Sequence, residues 1–317
     1  MREDQATFSK LLSPQVLRSL SNVQVAWLSC GFEHCLALTS DGLIASWGCG
    51  ASGSLGHNDY LSYTEPKMIE PEVLKDVSYV ECGGYHSAAV TKAGKLFMWG
   101  RSDVGQLGLP KDKVIMDEHG YVMKQPMEVA YFSDITVKAV ALGEAHSVVL
   151  DCEGQVYTFG WGELGQLGVQ NSRTFQVYKI FGTPAAKVVK VASGAVFSLA
   201  LTSDGKVYSW GSGQNGQLGL GNSSNTTTFV PTLVENLSDF KVLDIQCGES
   251  HSLAVTECNS FFAWGQGFAT SPSLIKHLKD LSPTKNSQKD KQLDVISYYP
   301  KLLSKVDNFQ TLVLPNS

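Results

Sequence analysis

The sequence predicts an all-β fold: a β-propeller of four-stranded blades, with five full repeats and partial strands at both ends. Three observations predict it. A composite glycine, histidine and tryptophan motif recurs five times at near-constant spacing. Short β-favouring runs are separated by tight-turn pairs, and one large aromatic ring recurs at the same register in each unit. A unit of this size cannot bury its apolar face alone, so stacked copies must supply one another's core.

The leading glycines fall at 31, 83, 143, 194 and 248, at intervals of 52, 60, 51 and 54 residues. A period near fifty with several short strands per unit fits a propeller, not a helical solenoid. The first unit reads Gly31-Phe-Glu-His34, Asp41-Gly42, Trp47-Gly48 and Gly53-Ser-Leu-Gly56. The second reads Gly83-Gly-Tyr-His86, Ala93-Gly94, Trp99-Gly100 and Gly105-Gln-Leu-Gly108. The third carries His146 and Phe159 at the histidine and tryptophan places, the fourth Phe197 and Trp210, the fifth His251 and Trp264.

Within a unit, an apolar strand such as Val77-Ser-Tyr-Val-Glu-Cys82 precedes the glycine. Next come a run such as His86-Ser-Ala-Ala-Val-Thr91 and, after a tight turn, Lys95-Leu-Phe-Met-Trp99. The turns need positive φ, which Gly42, Gly94, Gly154 and Gly205 supply. The fifth unit has Asn259 there, the next most tolerant residue. A proline-led stretch such as Pro231-Thr-Leu-Val234 makes a fourth, outer strand, where a missing N–H does no harm.

This recurring order closely resembles the regulator of chromosome condensation repeat family, over roughly residues 13–268. The resemblance implies a propeller, usually of seven blades. Seven such units need more residues than the 317 present. Three arrangements stay open: part of a larger propeller, a smaller ring, or a shortened one that leaves a gap. The chain divides into a lead (1–12), the repeats (13–268) and a closing part (269–317). That last part holds a polar insertion with Lys276, Lys279, Lys285, Lys289 and Lys291, the outer stretch Pro300-Lys-Leu-Leu303, and the apolar run Phe309-Gln-Thr-Leu-Val-Leu314.

Hydrophobic residues make up 43% and charged ones 17%, ordinary for a globular protein with an ample core. The net charge of −5 argues against broad electrostatic binding to nucleic acid or to anionic membrane. The opening Met1-Arg-Glu-Asp-Gln5 lacks the apolar core of a signal peptide, and no run is long enough to span a bilayer. Seven cysteines, with Cys30, Cys82 and Cys247 at one repeated place, read as buried small hydrophobes in a reducing cytoplasm or nucleus. Sequons at Asn222, Asn225 and Asn236 then carry little weight.

Three segments match Gly-x-Gly-x-x-Gly, at Gly48–Gly53, Gly160–Gly165 and Gly211–Gly216. A dinucleotide fingerprint also needs a helix whose N-terminus faces the pyrophosphate, and no amphipathic helix pattern follows. No cofactor is therefore expected. His34, His86, His146 and His251 sit on separate units without the close-spaced pairs of a metal site. They read as packed imidazoles bonded to their own glycine turns, with Phe197 showing that packing alone suffices. Trp47, Trp99, Phe159, Trp210 and Trp264 read as packing between blades. Ser87, Ser147 and Ser252 read as serving strand pairing. No catalytic constellation assembles, and no small-molecule substrate is expected.

Functional information should lie where the repeats differ, because loops carry binding on a rigid frame. Residues 109–125 lengthen the second interval and mix charge with apolar side chains. Val114, Ile115, Met116, Asp117, Glu118, Tyr121 and Met123 are the candidate partner-binding residues. The lysine stretch at 271–292 reads as a solvated insertion, since Asp280 and Asp290 dilute its charge. The expected function is a non-enzymatic protein-interaction or regulatory module. What the resemblance implies is consistent, since such propellers accompany kinases, ubiquitin ligases and ciliary proteins. It also implies the alternative: guanine-nucleotide exchange on a small GTPase, the founding member's activity toward Ran. No nucleotide-displacing wedge or basic arm can be carried over onto this chain for that role.

Overall fold

The computed structural model describes residues 16–70, 74–170, 172, 174–180, 187–221 and 227–266, and the backbone of 297–305. The lead at 1–12, Asn222, Asn225, the lysine stretch and the Phe309–Leu314 run lie outside the described residues. The protein is an all-β propeller of five antiparallel blades.

Blade one holds β1 (Val25–Cys30), β2 (His34–Thr39), β3 (Ile44–Gly48) and β4 (Tyr63–Met68). Blade two holds β5 (Val77–Cys82), β6 (His86–Thr91), β7 (Leu96–Arg101), β8 (Ile115–Asp117) and β9 (Gly120–Glu128). Blade three holds β10 (Val137–Leu142), β11 (His146–Asp151), β12 (Val156–Gly160) and β13 (Tyr178–Ile180). Blade four holds β14 (Val188–Ser193), β15 (Phe197–Thr202), β16 (Val207–Gly211) and β17 (Thr228–Leu233). Blade five holds β18 (Val242–Cys247), β19 (His251–Thr256), β20 (Ser260–Gly265) and β21 (Ser297–Lys305).

Strand order follows chain order in four blades, and β21, which contains the Pro300 stretch, is the outer strand of blade five. Blade two runs β5-β6-β7-β9-β8, so a fifth strand lies outside its fourth. The insertion read from the sequence as a loop is thus largely a hairpin. In each blade the register between the first two strands slips once at the second residue, as between Val77 and Tyr79. A slip repeated in the same place adds the same twist to every blade.

The tight turns behave as the sequence requires. Gly42, Gly94, Gly154 and Gly205 have φ between +76° and +85°, and Asn259 takes +53°. The turn glycines also link blades: Val77 N–H donates to Gly42 O at 3.0 Å, Val137 N–H to Gly94 O at 2.9 Å, and Val242 N–H to Gly205 O at 3.1 Å.

Burial follows position in the stack. Leu36, Ala88, Val148 and Leu199 share one place in the second strand and are fully covered, whereas their equivalent Leu253 in blade five is 38% exposed. Val80, Val140, Val191 and Ile245 are buried in the first strand, yet Leu28 of blade one is 58% exposed. Among the described residues, the leading face of blade one and the trailing face of blade five therefore lack the cover that each internal seam provides. The same asymmetry corrects the reading of the cysteines. Cys82 is buried and Cys247 half-buried, but Cys30, in the first described blade, is exposed.

Candidate protein-interaction site

The repeated polar residues account for the seams. His34 Nε2 lies 2.9 Å from Ser87 Oγ, His86 Nε2 3.1 Å from Ser147 Oγ, and His146 Nε2 2.9 Å from Ser198 Oγ, each one blade further on. Each serine hydroxyl donates back to a loop carbonyl of the histidine's own blade: Ser87 to Ser54 O at 2.8 Å, Ser147 to Gln106 O at 2.7 Å, and Ser198 to Gln166 O at 3.3 Å. The hydroxyl proton being spent there, the serine oxygen accepts and the imidazole donates from Nε2. This corrects the expectation that the histidines bond to their own glycine turns. It also corrects the role given to the serines, which serve the seam.

The glycine before each histidine makes room for the ring. A Cβ on Gly83 would fall 2.4 Å from His86 Cε1, and one on Gly194 would fall 1.9 Å from Phe197 Cε1. Burial drives the His34 pKa down to about 4, and those of His86 and His146 down to about 3. Like-charge repulsion from His146 and His34 adds to the effect at His86. These rings are neutral donors, and a buried ring far from solvent offers no base to a substrate.

An aromatic ring completes each described seam: Phe159 packs over Gly108, and at the other three an indole donates across the seam. Trp99 Nε1 donates to Ser54 O at 2.7 Å, Trp210 Nε1 to Gln166 O at 3.0 Å, and Trp264 Nε1 to Gln217 O at 2.8 Å. The last glycine of the preceding blade's Gly-Gln-Leu-Gly lies under the ring. A Cβ on Gly219 would sit 2.8 Å from Trp264 Nε1. Trp47, in the first described blade, is only half-buried. The Gly-x-Gly-x-x-Gly segments are these turns, and no α-helix follows any of them among the described residues. Among those residues no group of three or more His, Cys, Asp or Glu is placed to hold a metal ion. None of their helices is long and apolar enough to cross a membrane.

What the scaffold does not use is the blade-two hairpin. Ile115 pairs with Val122, Met116 with Tyr121 and Asp117 with Gly120, around the two-residue turn Glu118-His119. Asp117 Oδ1 accepts the His119 N–H at 2.8 Å, and Gly120 takes φ +99°. A Cβ on Gly120 would meet Asp103 Oδ1 at 2.6 Å, the carboxylate that accepts the Tyr121 N–H at 3.0 Å.

The candidate residues divide by face. Met116 is 66% exposed and Ile115 47%, with Glu118 exposed beside them. Asp117 and Tyr121 are half-buried. Val114 and Met123 are buried in the core of blade two and hold the hairpin down.

Both neighbouring blades brace it. From the blade-one side, the Tyr60 hydroxyl donates to Asp117 Oδ2, Tyr60 stacks on His119 with centroids 4.1 Å apart, and Asn58 N–H donates to Lys124 O at 2.9 Å. The Tyr60 hydrogen bond is the main reason the Asp117 carboxyl titrates below its ordinary range. From the blade-three side, Phe175 packs edge-on against Tyr121 at 5.9 Å, and within blade two Lys111 Nζ lies 5.0 Å over the Tyr121 ring. Phe175 holds φ +59°, where bulky residues are uncommon, and packs directly over Gly105, where a Cβ would fall 2.4 Å from Phe175 N. Sequence reasoning missed Tyr60, His119, Phe175 and Lys111. His119 and Lys111 lay inside the insertion, but nothing local marks Tyr60 and Phe175 as its neighbours.

A family model described as the RCC1-like domain matches residues 2–300. The E3 ubiquitin-protein ligase HERC2 of Mus musculus is 37% identical over 293 residues, covering 89% of this chain and 6% of that protein. The ultraviolet-B receptor UVR8 of Arabidopsis thaliana is 34% identical over 262 residues, covering 82% of this chain and 57% of that one. The chain thus spans only part of the curated relatives it matches. Among solved structures, Prp20p of Saccharomyces cerevisiae superposes with a TM-score of 0.71 at 26% identity, over 88% of this chain and 65% of that one.

Proposed function

We propose that this chain, which belongs to the RCC1-like domain family, is a non-enzymatic interaction module that engages a protein partner through the blade-two hairpin. Propellers of this family mediate protein interactions. The observation that carries the finer reading is Ile115 and Met116, exposed together on an added edge strand braced from both sides. An edge strand offers unpaired backbone groups to an extended segment of a partner, and flanking apolar side chains add specificity. The seven cysteines are free thiols, and a reducing cytoplasmic or nuclear setting belongs to the same reading.

The test substitutes Ile115→Asp and Met116→Glu in the full chain and compares captured proteins by quantitative mass spectrometry. The reading expects one or a few proteins to be lost from the variant while its thermal unfolding stays unchanged. Identical capture by both forms would sink it. Replacing all of 109–125 by Gly-Ser is a poor control, because Val122 and Met123 are buried in blade two.

A second reading, guanine-nucleotide exchange on a small GTPase, is favoured by the likeness to Prp20p, a structure described together with its binding to Gsp1p and histones. Accelerated release of labelled GDP from a panel of small GTPases would establish it. Unchanged release across that panel would leave the interaction module as the reading.

A further inference from the structure

Blade one differs from the other four at one place in its second strand. Ser87, Ser147, Ser198 and Ser252 stand where blade one has Cys35. Cys35 pairs in register with Cys30 on the neighbouring strand, and the two sulfurs lie 3.4 Å apart. Gly31 N–H donates to His34 O at 2.8 Å, so Gly31 and His34 form the hydrogen-bonded pair next to the turn. Cys30 and Cys35, one step further out, form the non-hydrogen-bonded pair, the kind with the closer side chains and a Cα separation of about 4.5 Å. A disulfide accepts Cα separations of about 4.4–6.8 Å, so the bond can close without moving the strands. Cys30 is exposed and Cys35 half-buried, on the face of blade one that no described blade covers.

We propose that Cys30 and Cys35 form a reversible redox site, a cross-strand dithiol that a hydroperoxide converts to an intrachain disulfide. Exposed Cys30 reacts first. Its thiolate sulfur attacks the O–O bond, an S–O bond forms, the O–O bond breaks, and the departing oxygen leaves as water or an alcohol. Cys35 then attacks the Cys30 sulfenic acid at sulfur. The S–S bond forms, the S–O bond breaks, and the released hydroxide takes the Cys35 proton as water. Two thiols and one hydroperoxide thus give one disulfide, water and an alcohol (or a second water). An external dithiol reverses the change by exchange.

The order of attack has independent support. Burial, followed by the neighbouring Cys30, pushes the Cys35 thiol up to about 12, so it is a poor first nucleophile. It resolves the sulfenic acid because it is held beside it. Closing the bond would fix the turn that carries Phe32, whose ring packs edge-on against Tyr85 of blade two at 5.5 Å.

The test uses the full chain and hydrogen peroxide. Remaining thiols are then blocked under denaturing conditions, and the chain is cut after glutamate. Cleavage after Glu33 places Cys30 and Cys35 in different peptides. The proposal expects those peptides to stay joined until reduced, while exposed Cys152 is oxidised without an intrachain partner. Separate peptides at a dose that oxidises Cys152 would overturn it, as would a link between two chains through Cys30. A Cys35→Ser variant, which carries the serine of the other blades, should accumulate a dimedone adduct at Cys30 several-fold above the unsubstituted chain. Equal adduct in both would also overturn the proposal.

Discussion

His146 in blade three and Ser198 in blade four meet at 2.9 Å, and the serine hydroxyl returns its proton to Gln166 O of blade three. The serine hydroxyl is satisfied on both sides, so it and His146 Nε2 lie paired and buried at the seam. The indole of Trp210 reaches the same Gln166 carbonyl at 3.0 Å. One loop carbonyl thereby accepts two bonds from the next blade, which ties a residue's environment to a position about fifty residues away.

Trp210→Ala is expected to lower stability by about 3–5 kcal/mol, the usual cost of removing a buried tryptophan. It also strips a donor from Gln166 O. Trp47→Ala should cost clearly less, because Trp47, in the first described blade, is only half-buried. Denaturant unfolding of both variants checks this, and equal losses would contradict the seam assignment.

His86 and His146 titrate near 3 in the folded chain because burial disfavours their charged form, against about 6.5 when unfolded. Between those values the unfolded chain holds more protons. Stability from these sites is therefore complete above about pH 6.5 and is lost as pH falls toward about 3. His146→Phe, with Phe197 as its precedent, should flatten the acid limb of the stability profile. Unfolding midpoints measured from pH 7 to pH 4 test this, and an unchanged slope would refute it.

Glu81 behaves oppositely. Burial raises its carboxyl to about 7, although the Tyr79 hydroxyl that donates to it at 2.7 Å pulls the other way. The folded chain holds the extra proton between about 4.5 and 7, so this site removes stability as pH rises through that window. Glu81→Gln should therefore gain stability relative to the unsubstituted chain as pH rises from 5 to 8. A difference independent of pH would show that the carboxyl titrates normally.

Met116→Lys should change stability by less than about 0.5 kcal/mol, as exposed substitutions away from special geometry usually do. Val122→Ala, one strand inward and fully covered, should cost about 1–3 kcal/mol through lost burial and the cavity left behind. Thermal melts of the two variants separate the exposed face of the hairpin from its anchor.

Much of this was legible because the repeat averages over accidents. Trp99, Phe159 and Trp210 announced inter-blade packing by recurring at one register, and Asn259 could be placed at positive φ by alignment with four glycines. The partners across each seam were not legible. His86 and Ser147 are 61 residues apart, and no local pattern says that an imidazole reaches forward into the next unit. Exposure of Cys30 was hidden for a related reason. Its sequence surroundings match those of Cys82, and only its place in the first described blade sets its exposure apart. The hairpin at Ile115–Glu128 was hidden by composition, since alternating charge and apolar residues with one glycine read equally well as a loop. Its bracing by Tyr60 and Phe175 depends on neighbouring blades that sequence distance does not order.

The seams share one polarity: a loop carbonyl on the earlier blade accepts from a serine hydroxyl on the later at all four described junctions, and from an indole as well at three of them. A joint whose serine-to-carbonyl bond repeats at every described junction does not record how many modules it has linked. Whole modules can then be duplicated or excised without redesigning an interface, whereas a deletion inside one would strand its neighbour's donors. Length variation among such wheels should accordingly come in steps of about one repeat, with the individuality of each protein confined to the rim.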